Sequence, residues 1–274
     1  MNYRHAFHAG NFADVVKHAT YAWALARLAE KPKPFAVLDT HAGLGEYDLE
    51  ADAATRTGEW RDGIAKLRAA LPGAPESLAP YAAALADLPA RWYPGSPRIA
   101  RHFLREEDRA MLCELHQVDA ATLQRTFAGE SGIEIVADDG YAAIKSKLPP
   151  RERRGVVLID PPFESTDEFD KLARGLRHGL KRFATGVFLA WYPIKDREGP
   201  DALIAAYSGG EVRRVTLAEI AWPDTPDAKG LRGCGILAIN APWRYEEAMR
   251  EAWEWCAARF KPGAKIEIRV LAGE

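Results

Sequence analysis

Residues 156–164 read Val156-Val157-Leu158-Ile159-Asp160-Pro161-Pro162-Phe163-Glu164. An unbroken apolar run rich in β-branched residues suits a strand buried on both faces, the kind found inside a parallel sheet. Two prolines end it abruptly, because neither can donate a ladder hydrogen bond. The segment after the strand is therefore a stiff ledge. Asp160 offers carboxylate acceptors, the prolines present carbonyls without competing N–H donors, and Phe163 adds a flat apolar face. Such a ledge can hold a planar amine.

Outward from this run, further apolar stretches lie at Phe35 to Asp39, Met111 to Leu115, Ile133 to Ala137 and Gly186 to Tyr192, alternating with amphipathic segments. That alternation predicts an α/β protein with a mostly parallel sheet. Helices are expected over Asp14 to Glu30 with Asp14 as N-cap, over Pro97 to Glu106 with proline in the first turn, and over Asp167 to Lys181. Val212 to Ile220 and Gly233 to Asn240 flank a Pro/Asp/Gly-rich connection with no room for a helix, which predicts an antiparallel pair at the C-terminal sheet edge.

One spacing is anomalous. Asp39 and Glu114 are 75 positions apart, whereas a βαβ unit needs roughly 30 residues. The surplus, rich in Ala, Leu and Arg and broken by prolines at 72, 75, 80 and 89, predicts a small inserted helical subdomain over residues 50–93. The main domain then comprises 1–49 and 94–274, with an N-terminal motif at 1–18. The insertion is expected near the mouth of the site.

At 274 residues, 47% hydrophobic and with a net charge of −2, the chain suits one large domain with an insertion. The charge means that nucleic-acid contact must come from local patches. Three clusters qualify: Arg98, Arg101 and Arg105; Arg151, Arg153 and Arg154; and Arg174, Arg177, His178, Lys181 and Arg182. Cys113, Cys234 and Cys256 are scattered, odd in number and without metal-ligand spacing, which reads as core thiols in a reducing compartment. The polar, histidine-rich start is not a signal peptide, and no stretch approaches the ~20 apolar residues of a membrane span. A cytoplasmic monomer without a metal is expected.

The first strand ends in Asp39-Thr40-His41-Ala42-Gly43-Leu44-Gly45. Glycines after a parallel strand let a ligand approach the backbone. A dinucleotide fingerprint needs a third glycine where Asp48 stands, and an acid there disfavours a diphosphate, which counts against a nicotinamide-dependent oxidoreductase. A cationic ligand tolerates Asp39 and Glu46 better, and the sulfonium of S-adenosylmethionine fits that description. Glu114, at the tip of the second run, can accept from ribose hydroxyls. Asp139, before Gly140, can accept from an adenine amino group. Each acid taken alone is an ordinary strand terminus; together with the ledge they outline a site.

These residues carry a family resemblance. Asp160-Pro161-Pro162-Phe163 with the glycine turn at 39–45 resembles the Asp/Asn-Pro-Pro-aromatic amino methyltransferases. The opening 2–18, then Leu38 to Gly43, Tyr93 to Pro97, Cys113 to His116 and Lys181 to Gly186 are similar to the RlmJ family of 23S ribosomal RNA adenine-N6 methyltransferases. The resemblance implies a Rossmann-like class I methyltransferase fold, S-adenosylmethionine as donor with S-adenosylhomocysteine as product, and a 23S adenine methylated on protein-free or early-assembly RNA. It further implies cofactor contacts from His18, His41, Gly43, Ser96, Glu114, Asp139, Gly140 and Asp160, catalysis by Asp160 with Pro161 and Phe163, and RNA contact by Tyr3. Phe163 stands where tyrosine is commoner, losing a hydroxyl but keeping the stacking face. From the residues alone, His18 is equally a satisfied buried histidine, His41 a turn cap and Ser96 a helix cap. DNA adenine or protein glutamine methylation, and a non-catalytic RNA-binding protein, are the alternatives.

Overall fold

The computed structural model describes residues 4–210, 212–222 and 230–273. Tyr3 lies outside the described residues. The strands are β1 (Ala36–Asp39), β2 (Glu46–Asp48), β3 (Trp92–Pro94), β4 (Arg109–Cys113), β5 (Ile133–Val136), β6 (Gly155–Ile159), β7 (Val187–Ile194), β8 (Val215–Ala221), β9 (Gly233–Ile239) and β10 (Lys265–Ala272). The helices are α1 (Phe12–Ala29), α2 (Asp52–Thr57), α3 (Ile64–Ala70), α4 (Ala79–Ala86), α5 (Ser96–Phe103), α6 (Gln117–Thr126), α7 (Gly140–Lys147), α8 (Glu168–Arg182), α9 (Glu198–Tyr207) and α10 (Tyr245–Phe260).

The described residues form an eight-stranded sheet in the order β10-β8-β9-β7-β6-β1-β4-β5. Strands β5, β4, β1, β6 and β7 run parallel, while β9, β8 and β10 pair antiparallel. Each of the five residues of β6 is buried, as its apolar run requires. The chain leaves β1 toward β4 on one side and returns as β6 on the other. That reversal is a topological switch point, where ligands bind beyond the carboxyl ends of the strands. Asp39 closes β1 and pairs in register with Leu158 of β6, so Asp39 and Asp160 emerge side by side at that point.

Two expectations need correction. The β8/β9 pair is not the sheet edge: β9 lies between β7 and β8, and β10 pairs along β8 outside them. The sequence Lys265-Ile266-Glu267-Ile268-Arg269 alternates charged and apolar residues as an edge strand does. Second, α1 starts earlier than expected. Asn11 is its N-cap, accepting from the Asp14 N–H at 2.8 Å, and Asp14 belongs to the first turn.

Within residues 50–93, short helices and 3-10 turns lead up to β3; Pro72 and Pro80 sit in the first turn of two of them, and Pro75 and Pro89 lie outside them. The antiparallel β2/β3 pair, with Tyr47 opposite Tyr93, brackets them. Ile64, Leu67, Leu78, Tyr81 and Leu85 join the core that α1 and α10 build on one face of the sheet, while α7, α8 and α9 cover the other. The three cysteines are free and buried. No described helix is long and apolar enough to cross a membrane.

Candidate active site

Asp160 follows β6 directly, and its carboxylate is not left open. Lys17 Nζ of α1 lies 2.5 Å from Asp160 Oδ2 and 2.7 Å from Asp14 Oδ1. The lysine is 3% exposed and Asp14 2%. Asp14 Oδ2 also accepts from the Gly10 N–H at 2.8 Å and lies 2.9 Å from His5 Nε2. Burial opposes ionisation of Asp14, but the His5 ring and the Lys17 ammonium outweigh it and hold its carboxyl well below the usual range. Burial likewise disfavours the ammonium, and Asp14 and Asp160 together raise Lys17 well above its ordinary value. The lysine is thus a fixed cation clamped between two carboxylates.

Helix α1 explains why it is buried. Phe12, Ala13, Val15, Val16 and Ala19 surround Lys17 in sequence and are all buried. A helix apolar on every side leaves its ionisable residues no solvent, so they must find partners inside. Sequence reasoning missed Asp14 and Lys17 as site residues, although Lys17 one turn after Asp14 in this apolar setting was the available signal. It also missed Trp191 of β7, whose ring lies 5.5 Å from Lys17 Nζ and 6.0 Å from the Phe163 ring.

Phe163 has a φ of +50°, in the left-handed region that non-glycine residues rarely occupy. Its ring packs on Phe169 at the start of α8, 4.8 Å between centroids. Pro161 is buried. The strained Phe163 backbone and the rigid proline dipeptide fix the floor beside Asp160.

The glycine turn stands opposite. Gly43 has φ +63° and Gly45 φ +85°, so both exploit glycine's freedom. Gly43 N–H donates to Glu114 Oε2 at 2.8 Å, and His116 N–H donates to Oε1 at 2.7 Å. Glu114 thereby ties the ends of β1 and β4 together. Burial pushes its carboxyl up, and those N–H groups pull it back in part. Asp139 caps α7 through the Tyr141 N–H at 3.0 Å. Gly140 begins that helix against the end of β1, where a Cβ would lie 2.0 Å from the Thr40 carbonyl oxygen. The N-terminal motif bridges the far side through Arg4, paired with Asp119 of α6 at 2.8 Å.

Asp39 is fully buried, and its Oδ2 has no hydrogen-bond partner among the described residues. Burial raises its pKa to about 7, although the Ser96 hydroxyl and the His41 N–H favour the ionised form. His41 Nδ1 lies 2.7 Å from Thr40 Oγ1, which itself donates to the Leu158 carbonyl. Nδ1 must then carry the proton, leaving Nε2 as an acceptor. Burial lowers His41 to about 4, so the ring is neutral. His18 is withdrawn into the core, its Nδ1 2.6 Å from the Tyr93 hydroxyl, and burial drives it down to about 3.

The basic clusters divide. Arg98 and Arg101 pair with Glu46 and Glu130, and Arg105 with Asp108. Arg154 donates to the Leu28 and Lys33 carbonyls. Arg174, Arg177, His178 and Lys181 line the exposed face of α8. Among the described residues, no three His, Cys, Asp or Glu side chains gather into a metal-binding group.

Acids stand at four strand ends, two of them flanking the switch point, and comparison with known proteins decides the family. The model described as "Ribosomal RNA large subunit methyltransferase D, RlmJ" matches residues 32–269. The chain belongs to the RlmJ family. It is 39% identical over 266 residues to "Ribosomal RNA large subunit methyltransferase J" of Escherichia coli (strain K12), covering 96% of this chain and 95% of that protein. The protein of the same name from Haemophilus influenzae is 38% identical over 256 residues, covering 92% and 91%. A crystal structure from Legionella pneumophila, protein LPL1258, superposes with a TM-score of 0.89 at 29% identity, over 96% of this chain and 98% of that one. The Legionella structure shares the fold over nearly the whole of both chains.

Proposed function

We propose that this protein methylates the exocyclic N6 of a single adenine in 23S ribosomal RNA, using S-adenosylmethionine and acting on RNA that is protein-free or early in assembly. The observation that carries the reading is the Asp160-Pro161 ledge, held by Lys17 next to the Asp39 turn. Asp39 Oδ2, buried and unpartnered among the described residues, suits a cationic ligand such as the methionine ammonium or the sulfonium. His41 Nε2, an acceptor, fits the same ammonium better than a carboxylate. Each Glu114 oxygen uses one lone pair on a backbone N–H and keeps another for a ribose hydroxyl. Asp139, Gly140, Gly43 and Ser96 complete the cofactor assignment and Tyr3 is assigned to the RNA, while His18, enclosed behind the buried Tyr93, supports that wall of the site rather than touching the cofactor.

When bound, S-adenosylmethionine supplies an electrophilic methyl group on sulfur. The chain's own task is to prepare the nucleophile. An adenine amino nitrogen is weak because its lone pair is delocalised into the ring. Lys17 occupies Asp160 Oδ2 and leaves Oδ1 to accept one amino proton, while the Pro161 carbonyl accepts the other. Both bonds favour a pyramidal nitrogen whose lone pair points away from the ring. Phe163 stacks on the base. As the new N–C bond forms, the nitrogen becomes acidic and Asp160 takes its proton. The base must leave any helix it occupies, which unpaired RNA makes easier.

Labelled methyl offered in parallel to unmodified 23S RNA, duplex DNA and protein tests this reading. Incorporation confined to RNA is expected. Transfer to DNA or to a glutamine amide with none to RNA would replace it.

A further inference from the structure

The inserted segment meets the N-terminal motif through several contacts. Thr57 Oγ1 donates to the Phe7 carbonyl at 2.5 Å, Asn11 Nδ2 donates to Glu59 at 3.0 Å, and the Ile64 N–H donates to the Gly10 carbonyl at 2.8 Å. The approach is close: a Cβ on Gly63 would lie 2.2 Å from the Gly10 carbonyl oxygen. On the other flank, Phe12 meets Trp222, just past β8, edge-on at 5.9 Å. The contacts join insertion, motif and C-terminal strands into one strip. It includes the first residue of α1, five positions before Lys17. The strip lies at the carboxyl end of the parallel strands, because β8 runs parallel to β7 and Trp222 follows its last residue.

Three cations stand on aromatic rings along it. The Arg56 guanidinium lies 5.8 Å from the Phe7 centroid, Arg61 lies 5.1 Å from Trp60, and Lys261 lies 5.1 Å from Trp222 and 6.0 Å from Phe12. None of the three has an ion pair among the described residues, whereas Arg91, Arg98, Arg101, Arg105 and Arg109 are all committed to acids. Arg56 and Arg61 are exposed. Of the acids nearby, Glu59 is engaged by His8 and Asn11, and Asp62 by Lys66 and, at longer range, by the Lys261 charge. Unpaired cations interleaved with aromatic faces match a chain that alternates phosphates with flat bases.

We propose that this strip binds a single-stranded stretch of RNA flanking the target adenine, Arg56, Arg61 and Lys261 meeting phosphates and the partly exposed rings of Phe7, Trp60 and Trp222 receiving bases. The assignment rests on the RNA reading above and names its docking surface. The basic face of α8 fits less well. Among the described residues none of its cations stands over an aromatic ring, and Asp167, Glu168 and Asp170 precede them on the chain between the ledge and Arg174.

Fluorescence anisotropy with a labelled single strand of about 12 nucleotides from unmodified 23S RNA tests the strip on the full chain. Combined Arg56→Ala, Arg61→Ala and Lys261→Ala should weaken binding about tenfold or more. The slope of log affinity against log salt should become shallower by about 2, the value for three single-strand phosphate contacts. The KM for RNA should rise in parallel, with kcat and S-adenosylhomocysteine binding preserved. Arg61→Glu alone, at an exposed position, should move affinity the same way, and Arg61→Lys should restore it. Unchanged affinity and slope in both the triple variant and Arg61→Glu would overturn the proposal. So would a loss seen only in an Arg174→Ala, Arg177→Ala, Lys181→Ala control. Wild-type protein that binds this RNA through the strip yet transfers no methyl would sink the methylation reading and leave the strip standing.

Discussion

Replacing Lys17 by Met removes the ammonium that lies 2.7 Å from Asp14 Oδ1 and 2.5 Å from Asp160 Oδ2. The two carboxylates then face each other across an apolar side chain. Asp14 keeps the Gly10 N–H and His5, so the uncompensated charge falls mainly on Asp160, whose side chain is 16% exposed. Deleting one partner of a buried pair costs about 3–5 kcal/mol, because it strands a desolvated charge. For a chain of this size that corresponds to a thermal midpoint lower by roughly 6–10 °C. The sign with pH is set by Asp14, whose carboxyl is held well below its ordinary range by His5 and Lys17 against burial. A depressed carboxyl contributes stability above its unfolded pKa of about 4, lost as pH falls through the folded value. Without Lys17 that contribution shrinks. The deficit should therefore stay level from neutrality to about pH 5 and narrow only as pH falls below about 4, where Asp14 titrates. Denaturant melts of wild type and variant at several pH values measure it, and methyl transfer should fall at the same time. A deficit under about 1 kcal/mol near neutrality would refute the clamp, since that is the size of an exposed pair.

The same geometry gives two further outcomes. Burial raises Asp39 to about 7, so a cationic cofactor that favours the carboxylate should bind about tenfold more tightly at pH 8 than at pH 6, as the ionised fraction rises; calorimetry should find this dependence abolished in Asp39→Asn, and a dependence retained there would assign it elsewhere. Phe163→Gly relieves a backbone held at φ +50°, worth about 1 kcal/mol or more, against the loss of ring contacts to Phe169 and Trp191; melting should change little while the RNA KM rises about tenfold or more for the lost stacking, and an unaltered KM would deny Phe163 its stacking role.

What could be read from the sequence was what is local. The β6 run, its prolines and the acids after β1, β4 and β5 announce themselves within about ten residues, because strand burial and turn chemistry are written in neighbouring side chains. The start of α1 was displaced because Asn11 and Asp14 are both good caps, and only the demand of Lys17 and His5 for an acceptor assigns Asp14 inward. Lys17 itself was missed because its partner Asp160 lies 143 positions away, and a lone lysine on a helix ordinarily points to water. The edge strand β10 was missed because charged residues interrupt its apolar ones, as an exposed edge demands. His41 was singled out, but its role as an acceptor depends on the Thr40 hydroxyl being engaged by Leu158, a contact between strands that no turn motif encodes.

The most direct test of the central claim compares wild type with Asp160→Ala on unmodified 23S RNA fragments, locating labelled methyl by digestion and mass analysis while cofactor binding is measured separately. The account predicts N6-methyladenine at one position with wild type. It predicts transfer reduced by about a thousandfold in the variant, the scale of losing a positioned acceptor and proton sink, with S-adenosylmethionine still bound. Transfer undiminished in Asp160→Ala would contradict it.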